Sequence, residues 1–577
     1  MNFISKETQI TQAGQAIKIN AHASNALCQL FSSNIGPYGT LKMLISPSNS
    51  VSLTKDGTII CNDVQFTHPL SKLIANSASS LSKVVGDGIS TYICLICEIF
   101  QSACYYHNNG ADIRRICDGI QIALCDLLKF LSTIKVKIDN VFDSDSVFES
   151  ISRENEPKQD SFKDDIDKLD EKLDSKFSKN FPITNEKNNF SESRKEYILN
   201  NLSSDECAIY RLILASLSTK IDRYISKKMT SYVFEALKSI TKNENFDTNM
   251  IEIMRFGDGD PEDSIFVDGI VFDHGNRHPM MPTNVDNCAI MIGNISLEYE
   301  KPEINVQFQY ASAEQRDALV ASERKFIFER AVAIAEFAKK VKETTGKNFV
   351  LINEKGIDPI SLEVLANANV LALRRSKRRN LERLIKCCGG SIISRVDQLD
   401  FDSLGSCESI NVQTFNDEKF TFLQGTPIKG SCTILIRGNV NYEVERIINA
   451  VKSAIKSASI AIKNKCFIYG GLFLYSQICN FLNHKYNKVD YRSAIGYKVL
   501  ERAFTNVAKN LIKNEGKNIE DEILRFERKE VQKNNVIDNY SVITNVITNA
   551  SVMAINLLMV DDIIKAGKPL KDEKEQK

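Results

Sequence analysis

The sequence predicts a multi-domain α+β protein, and three observations predict it. Apolar residues recur at helical spacing near both ends of the chain, the middle alternates as strands do, and a β-α-β-α order follows that alternation. The chain has 577 residues, enough for three or four domains at roughly 100–200 residues each. Helical ends around a strand-rich middle imply one domain assembled from both termini, with another inserted between them.

Taken in order, Ala16–Phe31 and Leu70–Phe100 carry helical periodicity. Glycine-rich breaks at Gly36-Pro37-Tyr38-Gly39 and Lys55-Asp56-Gly57 interrupt them, beside two short strand-like runs, Met43–Ile45 and Thr58–Ile60. Residues 139–204 differ: 16 Asp/Glu against 10 Lys/Arg give a net −6 in a Ser- and Asn-rich stretch. Too little apolar surface is available there to offset the entropy of ordering, so this acidic, low-complexity insertion is expected to be mostly disordered, with one transient helix near Asp164–Phe177. Helical spacing returns over Cys207–Ile240, and residues 250–305 alternate as strands. A long amphipathic helix follows over Ala313–Lys342. Strand Phe349–Ile352, helix Pro359–Ala366, strand Val370–Leu373 and helix Asn380–Cys387 make an α/β module, and from Val444 the chain reads as helix again.

Composition narrows the partners. The 73 Lys+Arg balance 73 Asp+Glu, so no global field draws the chain to nucleic acid or to an anionic membrane, and neither is expected as a partner. The longest apolar stretches, Ile93–Cys97 and Ala554–Val560, fall well short of the roughly 20 residues that span a bilayer. Met1 to Lys6 has no basic-then-apolar signal design, so a cytoplasmic location is expected. Fifteen cysteines is an odd count. The single C-x-x-C, Cys94 to Cys97, sits in an apolar helix-like stretch without a second pair. Reduced buried thiols are therefore expected, and no zinc or redox cofactor. Asp273, His274 and His278 lack further ligands nearby and read as structural.

One motif carries chemistry. In Gly86-Asp87-Gly88-Ile89-Ser90-Thr91, two glycines flank an Asp and hydroxyl residues then open a helix. A helix N-terminus offers unpaired N–H groups and the positive end of a dipole, which suit phosphate. The Asp can hold the Mg2+ that phosphates bring. With Asn34–Met43 and Leu53–Gly57 at these spacings, the chain resembles the chaperonin family of the eukaryotic cytosol and archaea. Ile251–Met254, Asp273–Pro279, Asn294–Lys301, Ala372–Leu384, Val536–Tyr540 and Leu557–Ile564 extend the resemblance to nearly everything outside 139–204.

The resemblance implies a chaperonin fold. Its mostly helical equatorial domain would combine 1–138 with 459–577. A small intermediate domain would come from 205–263 and 397–458, and an α/β, client-binding apical domain with a helical protrusion from 264–396, leaving 139–204 as a loop insertion. It also implies partners: other subunits of the cytosolic chaperonin (CCT) in an eight-membered ring, two such rings stacked, and unfolded clients such as actin and tubulin. The cofactor it implies is ATP or ADP with Mg2+.

Position by position, Ile35, Gly36 and Pro37 match the loop along the phosphates, and Asp56, followed by Gly57, matches a catalytic Asp. Asp87 matches the Mg2+-binding Asp between Gly86 and Gly88, with Ser90 and Thr91 after it; Gly470, Gly471 and Asp538 match the nucleoside side. Other positions depart. Tyr38 replaces a Lys, and Ile89 and Ser90 replace two threonines. The second catalytic Asp, which positions or deprotonates the attacking water in the family, aligns with Ser453, and no Asp or Glu occurs from Arg446 to Val489. Leu472 replaces a glycine and Tyr475 a Glu. A charged helix-like stretch, Ile519–Val531, runs to Asn534-Asn535-Val536 where the family has a hairpin over the nucleoside. The expectation is a chaperonin subunit with a degenerate site that hydrolyses ATP weakly or not at all. A fully active ATPase subunit, and a free scaffold or regulator outside the ring, stay open as alternatives.

Overall fold

A computed structural model of the chain describes residues 9–138, 204–298 and 313–565, apart from 12, 47, 48, 50, 242–245, 429, 517 and 534. The insertion and its expected helix near Asp164–Phe177 lie outside the described residues. The N-terminal part contains β1 (Gln9–Thr11), α1 (Ala13–Ser32), the hairpin β2 (Lys42–Ile45) and β3 (Val51–Thr54), α2 (Gly57–Asp63), α3 (Pro69–Val85), α4 (Ile89–Asn108), α5 (Ile113–Ile134) and β4 (Val136–Lys137). The middle begins with α6 (Ser204–Ser218), α7 (Arg223–Thr241), β5 (Ile251–Arg255), β6 (Ile265–Val267), β7 (Ile270–Phe272) and β8 (Asn284–Gly293). It continues through α8 (Ala313–Thr345), β9 (Asn348–Asn353), α9 (Pro359–Asn367), β10 (Leu371–Leu373), α10 (Arg378–Cys388), β11 (Ile392–Ile393), β12 (Gly405–Phe415), β13 (Glu418–Gln424), β14 (Cys432–Ile436) and α11 (Asn441–Asn464). The C-terminal part holds β15 (Cys466–Tyr469), α12 (Gly471–Tyr486), α13 (Tyr491–Glu515), α14 (Ile519–Glu527), β16 (Ile537–Asp538), α15 (Tyr540–Leu558) and β17 (Ile563–Lys565).

Helices from both ends share one core. Every residue from Tyr92 to Phe100 in α4 is buried, and α1, α3, α13 and α15 pack around that helix. A helix apolar on all sides belongs at the centre of a bundle. The two termini are tied as well, because β1 pairs antiparallel with β17, Gln9 opposite Lys565. α15 is long and apolar enough to cross a membrane by length and composition, which shorter apolar runs in the sequence did not suggest. Here it is a core helix: Val542, Val546, Ala550, Ala554 and Leu558 are buried in the shared core, and α15 packs on α4 and α5.

The middle is built on two sheets. In the larger, the order is β10-β9-β8-β12-β13-β7, with β11 added beside β8. α8 and α9 cover one face over Ile334, Val341, Leu351 and Leu365, while α10 contributes Leu381 and Leu384 to the core on the other. The smaller sheet, β5-β14-β6, carries α7 and α11, and α6 packs on those two helices. Strands β12 and β13 fall within the hinge-like segment expected over 397–458, yet they pair into the larger sheet with β8 and β7. β6, just inside the expected apical segment, pairs instead with β14 of the smaller sheet. The signal for the β12–β13 hairpin is Asn416-Asp417: both have positive φ, 45° and 65°, and Phe415 pairs with Glu418 across them. Two such residues between strands are the mark of a tight hairpin turn.

Thr58–Ile60 is a correction. Its β-branched residues read as a strand, but they lie in α2. Asp56 caps that helix, its carboxylate accepting from the Thr58 N–H at 2.9 Å, and a cap outweighs a few tenths of a kcal/mol of local propensity. All fifteen cysteines are free and thirteen are buried. Burial pushes several thiols up, Cys61 and Cys479 to about 12. At the Asp273–His274 cluster, His274 bonds Asp273 at 3.2 Å and Ser376 at 3.3 Å, and His278 accepts from the Met280 N–H at 3.3 Å.

Candidate functional site

A cavity of about 460 Å³ opens where the helical body meets α6 and α11, within the size range of small-molecule sites. Its polar end is made by backbone. Gly86 and Gly88 have φ of +79° and +77°, so the chain turns through a conformation costly for other residues and leaves α4 starting at Ile89. No side chain caps α4, and its first N–H groups are orphans that an anion can satisfy. Ile35, Gly36 and Pro37 face this end from the neighbouring loop. Asn514 on α13 holds that loop, donating to the carbonyls of Ser32 at 2.8 Å and Ile35 at 2.9 Å. Gly36 has φ of +82°, a conformation costly for other residues, and a Cβ there would push the tip of Leu511, 2.5 Å away. Gly57 and Ser90 also meet: a Cβ on Gly57 would lie 2.7 Å from the Ser90 hydroxyl oxygen.

Two carboxylates occupy this end. Asp56 is turned to its capping bond with Thr58. Asp87 has both oxygens engaged. Oδ1 accepts from Lys220 Nζ at 2.6 Å and from the Gly88 N–H at 2.8 Å; Oδ2 accepts from the Ser216 hydroxyl at 2.5 Å. Ser216 lies in the last turn of α6 and Lys220 just beyond it, so the middle of the chain reaches 133 positions back to grip the glycine turn. Lys55 lines the same end, and burial lowers its pKa ahead of the opposing pull of Asp222.

At the other end the walls are apolar. Leu472, Val536, Val542 and Ile543 line it with Tyr475. Burial, and then the nearby Asp538, drives the Tyr475 phenol well above the ordinary tyrosine range. Asp538 accepts from the Gly471 N–H at 3.4 Å; burial and then Asp87 push its carboxyl up to about 6. Gly470 stands behind it, and a Cβ there would overlap the Asp538 carboxylate.

The structure thus brings Ile35, Gly36, Pro37, Asp56, Gly57, Gly86, Asp87, Gly88, Ser90, Thr91, Gly471 and Asp538 to one cavity. Gly470 and Ser453 are not among its lining residues. Ser453 is half-buried on α11, one turn before Ser457, which does line the cavity. Sequence reasoning missed Ser216, Lys220 and Asn514. The only signal was the hydroxyl-rich run Ser216-Leu217-Ser218-Thr219 ending in a Lys, which reads simply as the end of a helix.

The residues fit a phosphate: a helix N-terminus, glycines that keep the walls low, and two lysines. They fit a divalent cation poorly, because Asp87 already serves an ammonium and a hydroxyl. Among the described residues no three His, Cys, Asp or Glu side chains are arranged to hold a metal ion.

A sequence profile described as the TCP-1/cpn60 chaperonin family matches residues 27–160 and 187–568. The chain is also similar, at 28% identity over 583 residues, to the T-complex protein 1 subunit zeta-2 of Homo sapiens, with 98% of each chain covered. Matched over most of its length by that profile, and folded with its two ends joined in one helical body, the chain belongs to the TCP-1/cpn60 chaperonin family.

Proposed function

We propose that this chain is a zeta-like subunit of a cytosolic, hetero-oligomeric, double-ring chaperonin assisting the folding of proteins such as actin and tubulin, and that its own pocket binds adenine nucleotide but hydrolyses it weakly or not at all. The observation that carries the second half is the charge on α11, which flanks the phosphate end. From Arg446 to the helix's end at Asn464 it has no carboxylate, and Ser453 stands where relatives place one. Of the lining carboxylates, Asp56 caps a helix, Asp87 is paired with Lys220, Asp538 accepts from the Gly471 N–H, and Glu515 stands at the end of α13. A serine neither takes a proton at neutral pH nor orients water by charge, and a missing general base costs about 10²–10⁴-fold in rate.

Exposed strand edges support assembly. Met43 and Ile45 on β2 and Val51 on β3 are exposed on a two-stranded hairpin, and open apolar edges are surfaces that a neighbouring chain covers. Two measurements test the reading. Native mass should be that of a multi-subunit ring; a species at the 64.9 kDa of one chain would remove the ring. Phosphate release by the full chain should be far slower than from a family member that carries the second Asp. Equal turnover would refute the degenerate site.

A further inference from the structure

We propose that the pocket takes its nucleotide without Mg2+, the Lys220 ammonium supplying the positive charge that the metal would bring. The inference rests on the nucleotide reading above and concerns the form of the ligand. Mg2+ demands near-octahedral oxygen coordination, gives up water reluctantly, and is usually held by one or two carboxylates besides the phosphates. At the glycine turn the candidate is Asp87: Asp56 caps α2 through the Thr58 N–H at 2.9 Å, Ser453 brings no charge, and the other lining carboxylates, Asp538 and Glu515, stand on β16 and at the end of α13.

Asp87 is not waiting for a cation. Lys220 Nζ lies 2.6 Å from one oxygen and the Ser216 hydroxyl 2.5 Å from the other. Lys220 is only 7% exposed, so a metal that displaced it would leave a buried ammonium without its partner, a strongly unfavourable exchange. The ammonium is also held in place by the fold, whereas a free ion must be recruited and stripped of water. Besides Asp87, Lys220 donates to the Ser216 carbonyl at 3.4 Å, and an ammonium has three donors. It lines the cavity with Lys55 at the end where the α4 N–H groups point. One donor can therefore turn to a phosphate oxygen while Asp87 stays paired.

Isothermal titration of the full-length protein with ADP, in EDTA and in millimolar Mg2+, decides it. The expected affinities agree within about threefold. Lys220→Met removes the ammonium and frees Asp87; its affinity should fall about tenfold or more in EDTA and recover when Mg2+ is added. An unmodified protein whose ADP affinity falls tenfold in EDTA would overturn the inference and leave the nucleotide reading standing. Binding in neither buffer would overturn both. The measurement on the unmodified chain is decisive even if Lys220→Met does not fold.

Discussion

The two ends of the pocket are built from different material. At the phosphate end the binding surface is backbone: the α4 N-terminus, the turn through Gly86 and Gly88, and the loop at Gly36. At the other end the surface is side chains: Leu472 and Tyr475 stand there. By the resemblance, the first end keeps the family's glycines and departs at Tyr38, Ile89 and Ser90, and the second departs at Leu472 and Tyr475. A backbone site survives every substitution that spares its glycines, whereas a side-chain site can be lost one residue at a time without disturbing the fold.

The largest expected effect is at the backbone end. Gly88→Val forces a branched residue to φ +77° and sets its Cβ 3.2 Å from Val542 and Val546. Strain of this kind costs about 1–3 kcal/mol before the displaced turn is counted, so ADP affinity should drop by about 100-fold, read by calorimetry. Retained affinity would break the contrast between the ends.

Next comes the module that supplies Ser216 and Lys220. Burial, with Asp268 adding to it, raises Glu235 on α7 from 4.5 to about 7. The folded chain therefore keeps a proton that the unfolded chain releases, and stability falls as pH rises from 4.5 to about 7. Glu235→Gln should raise unfolding stability by about 1–2 kcal/mol at pH 8 and change little at pH 4, in denaturant titrations. An equal effect at both pH values would assign the gain to packing instead of charge.

A smaller loss is expected from Gly470→Ala, whose Cβ would sit 1.9 Å from an Asp538 oxygen. The carboxylate must swing away from the Gly471 N–H, at a cost of about 1–1.5 kcal/mol, or nearly tenfold in nucleoside-dependent affinity. The smallest effect is assigned to Ser453→Asp. Ser453 does not line the cavity, and Leu472 and Tyr475 still wall it, so phosphate release should rise by less than about tenfold. A gain of several orders would show that one lost carboxylate accounts for the whole deficit.

Much of this architecture was legible from periodicity. The long helix at Ala313–Thr345 and the alternating strands and helices from Asn348 to Cys388 emerge close to where apolar spacing puts them. The misses share a cause. Thr58–Ile60 turned helical because one side-chain cap two residues away decides its backbone. The Asn416-Asp417 turn sends two strands back to pair with β8 and β7, which lie more than a hundred positions earlier. In the site, the glycine turn and Asp87 were readable as a local motif. The grip of Lys220 and Ser216 was not, because a contact across the insertion leaves no local pattern.

The pairing of Gln9 with Lys565 has a consequence for synthesis. Helices α1 to α5 leave the ribosome first, but the surfaces that bury their apolar faces, α12 to α15, come last. At about 5–20 residues per second, the 424 positions between Ile134 and Leu558 take roughly 20–85 s to appear. Meanwhile the middle of the chain, complete in its own sheets, can settle. A chain built this way spends that interval with a half-made hydrophobic core, apolar helix faces waiting for the partners that arrive last.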